Sequence, residues 1–111
     1  MDFKGLSDDD LLVLIGVSRV LINIDDLLSF EEVDWVRALI VQIGQSRWRP
    51  LALRSEDEFR STDELITALE RVQSPEVRGF ILDEARALAE VDGLESVETA
   101  LLERLEVARG A

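Results

Sequence analysis

Apolar residues recur along this chain at intervals of three and four, and no segment alternates as a strand would. Leu11, Leu14, Ile15, Ser18, Leu21 and Ile22 form one stripe, and Leu12, Val13, Val17 and Val20 extend it nearly all round. That period belongs to a helix, and a helix apolar on most sides is either central to a bundle or faces a second subunit. Val33, Val36, Leu39, Ile40 and Ile43 predict a second helix, and Leu65, Ile66 and Leu69 a third. Val77, Phe80, Ile81, Ala85, Leu88 and Ala89 predict a fourth, and Val97, Leu101, Leu105 and Ala108 a fifth.

Capping residues mark where these helices begin. Ser7 precedes Asp10 by three residues, and Ser29 and Ser61 precede Glu32 and Glu64 at the same spacing, which suits a reciprocal capping box. Ser74 is followed by Pro75 and Glu76, a cap, a proline at the first helical position and an acid in the first turn. The fifth helix is expected to start at Ser96, with Gly44 and Gly110 as stops for the second and fifth. From Gly44 to Arg60 the period is lost, and Pro50 biases Arg49 away from helical geometry. This stretch is expected to be a connector, with at most a helical turn around Glu56 to Phe59.

The predicted fold is therefore all-α, a compact bundle of five to seven helices. Its 111 residues fit one domain, and 47% hydrophobic residues are enough for a single core. The expected organisation is a first hairpin over about residues 7–44, a connector over 45–60, a third helix over 61–73 and a second hairpin over 74–109.

The two hairpins carry a repeat. Residues 24–31 and 91–98 align with Asp25 on Asp92, Leu27 on Leu94, Ser29 on Ser96 and Glu31 on Glu98, so each half reads as helix, acidic loop, helix. The segment 87–98, followed by Leu101, Leu102 and Leu105, resembles the signature of the tellurite-resistance TerB-like family, in which a helix ends in Ala-x-x-Asp-Gly and a glutamate follows five residues later. The first hairpin fits the same pattern with a departure, Asp26 standing where the pattern has glycine. The resemblance implies a helical bundle of pseudo-twofold hairpins, divalent-metal binding through acidic residues, and a place in bacterial stress-response or envelope-associated systems. Asp25, Glu31, Asp92 and Glu98 match the family's acidic positions.

Composition then limits the chemistry. The chain has no histidine, cysteine or tyrosine, and Lys4 is its single lysine, so the usual general bases, nucleophiles and imidazole or thiolate metal ligands are missing. A non-enzymatic role is expected. The net charge of −12 repels nucleic acid and anionic membranes and attracts cations and basic proteins. That charge is uneven: residues 1–43 hold 3 basic and 9 acidic side chains (−6), 44–60 hold 4 and 3 (+1), and 61–111 hold 5 and 12 (−7). The apolar run from Leu11 to Ile24 is preceded by three aspartates and is too short to span a bilayer, so no membrane insertion is expected and the protein is read as cytoplasmic.

Two sets of residues are candidates for function. Asp25, Asp26, Glu31, Asp92, Glu95 and Glu98 offer oxygen ligands alone, which suit calcium, magnesium or manganese, although no cofactor is required. The same acids serve equally as loop acceptors for backbone N–H groups and as first-turn charges favoured by a helix dipole. Arg47, Trp48, Arg49 and Arg54 form the one cationic cluster, either a contact for a protein partner or a connector folded onto the core. The breadth of the first helix leaves room for a homodimer there. The leading expectation is a TerB-like binding module; the alternative is an acidic immunity- or inhibitor-type protein that neutralises a basic partner.

Overall fold

The computed structural model describes residues 2–23, 29–90 and 96–110. Within them lie six α-helices and no strand: α1 (Asp8–Asn23), α2 (Phe30–Ile43), α3 (Gln45–Glu58), α4 (Thr62–Glu70), α5 (Pro75–Glu90) and α6 (Ser96–Glu106). Short 3-10 turns, Phe3–Gly5 and Val107–Gly110, flank the series. The all-α bundle is the one the periodicity predicts.

Serine hydroxyls set the starts. The Asp10 amide donates to Ser7 Oγ at 3.2 Å, the Glu64 amide to Ser61 Oγ at 3.2 Å, and the Val77 amide to Ser74 Oγ at 3.3 Å. At α2 the box is complete, with the Glu32 amide on Ser29 Oγ and the Ser29 amide on Glu32 Oε1. Each such cap is worth about 1 kcal/mol because it satisfies an amide that has no partner within its helix.

The stretch read as a connector is a full helix. α3 follows α2 directly through Gly44, whose φ of +89° lets the chain turn at a single residue. The Arg47 and Trp48 amides then bond back to the Gly44 carbonyl and open the new helix. Pro50 lies inside it, but Pro50 and Ser46, the residue whose carbonyl loses its partner, are both exposed. Water can therefore take that carbonyl. Opposite them, Trp48, Leu51, Ala52, Ser55 and Phe59 face inward at helical spacing, Leu51, Ser55 and Phe59 fully buried.

The core is built around α1. Every residue from Leu11 to Ser18 is buried, as is Leu21, and α3, α4 and α5 pack against it. That face is spent within one chain. Val20 and Ile22 remain partly exposed, so α1 keeps only a little apolar surface for the homodimer that its breadth left room for. Two arginines fix α3 alongside it: Arg47 donates to Asp8 Oδ1 at 2.7 Å and to the Leu6 carbonyl at 2.6 Å, while Arg19 donates to the Ser55 and Phe59 carbonyls at 2.8 and 3.2 Å. α2 is held more lightly, with only Glu32 and Leu39 buried, and Phe3 bridges it to α5 by edge contacts with Trp35 and Phe80.

Where α3 ends over α1, close approach depends on Gly16. A Cβ there would lie 2.5 Å from Phe59 Cδ2 and 3.2 Å from Leu65 Cδ1. Gly16→Ala gains about 1 kcal/mol of helix propensity, but overpacking of this kind costs about 1–3 kcal/mol. Because Arg19 holds the Phe59 carbonyl, the ring has little freedom to withdraw. We expect Gly16→Ala to lower the melting temperature by several degrees, and Phe59→Leu in the same chain to destabilise less than it does alone. A higher melting temperature for Gly16→Ala would show that the contact is slack.

Candidate functional site

A groove of about 650 Å³ lies between the first half of α1, the end of α3 and α4. Leu12, Val13, Phe59, Ala68 and Val72 make its floor. Its rim carries five carboxylates, from Asp9, Asp10, Asp57, Glu58 and Glu64, against two arginines, Arg54 and Arg71, a balance of −3. Arg54 is already engaged, its Nε donating to Glu58 Oε2 at 3.0 Å.

Two structural situations supply these acids. Asp9, Asp10 and Glu64 lie in the first turns of α1 and α4, where the helix dipole stabilises negative charge. Asp57 and Glu58 lie in the last turn of α3, where the dipole opposes it by about 0.3–1 kcal/mol each. Arg54 offsets one of them, and Arg60 approaches Asp57 only to 4.0 Å, with both side chains mostly exposed. Folding alone gives no reason for Asp57 to be acidic. Among the described residues no group of three or more carboxylates is arranged to hold a metal ion, so the charge of the groove is spread along its rim.

The acids predicted as metal ligands are distributed differently. Asp25, Asp26, Asp92 and Glu95 lie outside the described residues. Glu31 is exposed in the first turn of α2, whereas Glu98 is 2% exposed near the start of α6. The sequence repeat aligns these two, yet in burial it is Glu32 that corresponds to Glu98, both being buried.

The cationic cluster does not form one patch. Arg47 is committed to Asp8 and Leu6, Arg54 to Glu58, and Trp48 is half-buried against the core. Arg49 alone is exposed without a hydrogen bond or ion pair among the described residues. Trp48 also lines a small, mostly apolar cavity of about 190 Å³ between α1, α2 and α3. The sequence reading missed the groove because it treated Asp8–Asp10 only as capping charge and Glu56–Glu58 as connector. The available signal was an acidic triplet at the C-terminal end of a helix.

The carboxyl groups that the fold visibly perturbs lie on α5 and α6. Burial pushes the Glu84 carboxyl up, against the hydrogen bond from Trp35, and the neighbouring Asp83 charge adds to the rise. The Arg109 guanidinium, bonded to Glu106 at 2.7 Å and to Asp83 at 2.9 Å, holds Glu106 below its ordinary value despite some desolvation. These contacts fasten the C-terminal 3-10 turn to α5 and α6.

Comparison of the chain with protein-family models, with curated proteins and with solved structures found no match. No helix among the described residues is long and apolar enough to cross a membrane. The fold and groove therefore define a class, an all-α domain with an acidic, apolar-floored groove.

The Glu106 contact has a pH signature. A carboxyl lowered in the folded state contributes stability that is present above its unfolded value, near 4.5, and is lost as pH falls through the lowered value. Wild type should melt above Glu106→Gln at neutral pH, and the gap should close as pH is taken well below 4.5. A gap that is constant with pH would mean that Arg109 does not act through the charge of Glu106.

Proposed function

We propose that this chain is a non-catalytic binding domain that captures a basic, amphipathic segment of a partner protein in the groove between α1, α3 and α4. One observation carries the reading: an apolar floor beneath a rim of five carboxylates and two arginines, in which Asp57 sits against the dipole of its own helix. A segment with lysines or arginines on one side and aliphatic residues on the other satisfies both parts. Its cations meet the rim and its apolar face covers the floor. The overall charge of −12 steers such a partner from a distance. The absence of histidine, cysteine and tyrosine keeps the reading non-catalytic. It joins the two expectations from sequence, an interaction module and an acidic protein that neutralises a basic partner.

The test is titration with a labelled helical peptide carrying lysines on one face and leucines on the other. Binding should weaken steeply with salt. Asp57→Lys should weaken it by about tenfold while leaving the fold intact, since a cation suits the end of α3. Glu103→Lys makes the same change of net charge at an exposed position on α6 and should leave binding within about twofold. Equal losses in the two variants would mean that the peptide responds to net charge alone, and would remove the groove from the account.

A second reading follows from the TerB-like resemblance: the acidic segments hold a divalent cation through Asp25, Asp26, Glu31, Asp92, Glu95 and Glu98. In its favour, Glu98 is a carboxylate buried near the start of α6, directly after the second acidic segment. Chelator-treated protein should then melt several degrees higher in millimolar calcium, magnesium or manganese than in a monovalent salt of matched ionic strength. Asp92→Asn should abolish the rise. Melting identical to the salt control leaves the acidic segments as capping chemistry.

A further inference from the structure

We propose that the outward face of α2 pairs with the same face of a second copy of this chain, antiparallel and about a twofold axis. α2 buries only Glu32 and Leu39, yet it displays Phe30 and Val41 at 88% and 83% exposure. Eleven residues separate them, close to three helical turns, so they share one face about 16 Å apart. Asp34 and Arg37 lie between them on that face, both exposed and neither in an ion pair among the described residues.

The stripe thus reads apolar, acid, base, apolar at positions 30, 34, 37 and 41. Turned end for end, it meets itself in complementary order. Phe30 lies against Val41 of the second copy, Asp34 within reach of its Arg37, and the other two contacts repeat by symmetry. This is the arrangement an isologous interface requires, since each residue and its counterpart must suit each other in both directions. Charge argues for the same occupant. A chain of −12 repels its own copy over most of its surface, whereas the exposed residues of α2 carry two acids, Glu31 and Asp34, and one base, Arg37, and are close to neutral. A single pair of helices buries less than the roughly 1,200–2,000 Å² of a stable dimer, so the pairing is weak and exchanges rapidly.

The test is sedimentation of the full chain from about 10 μM to about 1 mM, the range in which a contact of this size dissociates. Wild type should shift from monomer to dimer within that range, and Val41→Glu should remain monomeric. Asp34→Arg and Arg37→Asp each set like charges across the axis twice, and each should raise the dissociation constant about tenfold or more. The double variant Asp34→Arg with Arg37→Asp restores complementarity and should return the constant to within about threefold of wild type. All these positions are exposed, and circular dichroism of each variant confirms that the helices remain. A wild type that stays monomeric throughout overturns the proposal. So does a dimer indifferent to Val41→Glu, or one that the double variant fails to restore.

Discussion

The bundle depends on the need to cover α1 on every side. Eight consecutive residues, Leu11 to Ser18, are buried, so this helix has no face to give to water. Burying a large aliphatic side chain contributes about 1.5–3 kcal/mol, and such a run outweighs the local preferences of whatever must cover it. α3 is the clearest case. Its own sequence, with a proline inside and no side-chain cap at its start, is a poor helix in isolation. It is helical because α1 needs its inward face, and because Arg47 and Arg19 hold it to that helix at both ends. Gly16 sets how closely the end of α3 can lie.

Once α1 is covered, the charges have only the outside to occupy, and helix direction decides which of them are at ease. Asp8 to Asp10 and Asp63 to Glu64 begin helices and are favoured there. Asp57 and Glu58 end one and are not. Packing brings both kinds to the same groove, over an apolar floor that three helices leave incompletely closed. The site is thus a by-product of how α1 is wrapped. Under the proposed reading, a partner is selected by the excess of carboxylates that folding does not require.

The helix starts were legible in the sequence because serine caps act over three residues and need no tertiary knowledge. Ser7, Ser29, Ser61 and Ser74 all accept the amides their spacing predicts. α3 was not legible, and the reason is specific. The centre of its inward stripe is Ser55, which becomes apolar in effect only when its hydroxyl donates to the Ala52 carbonyl within the helix. Pro50 also reads as a break, unless the carbonyl it orphans is known to face solvent. The groove was hidden by the same omission. The repeat did locate two acidic segments, but sequence alignment paired Glu31 with Glu98, whereas burial pairs Glu32 with Glu98. A shift of one residue turns an exposed carboxylate into a buried one. For a proposed ligand set, that shift decides which side chain is available.

The two proposed surfaces bear on each other through geometry. No residue of α2 lines the groove, so pairing through α2 leaves both grooves open. A dimer then presents two acidic grooves related by a twofold axis. A partner with two basic segments would bind the second groove at an effective concentration set by the spacing of the first, gaining affinity with no new contact. Linkage makes the gain reciprocal: a partner that prefers the dimer strengthens a pairing too weak to persist alone. The light anchoring of α2 acquires a purpose in that scheme. A helix that buried Phe30 and Val41 in its own core would add stability to one chain and remove the means by which two chains act together.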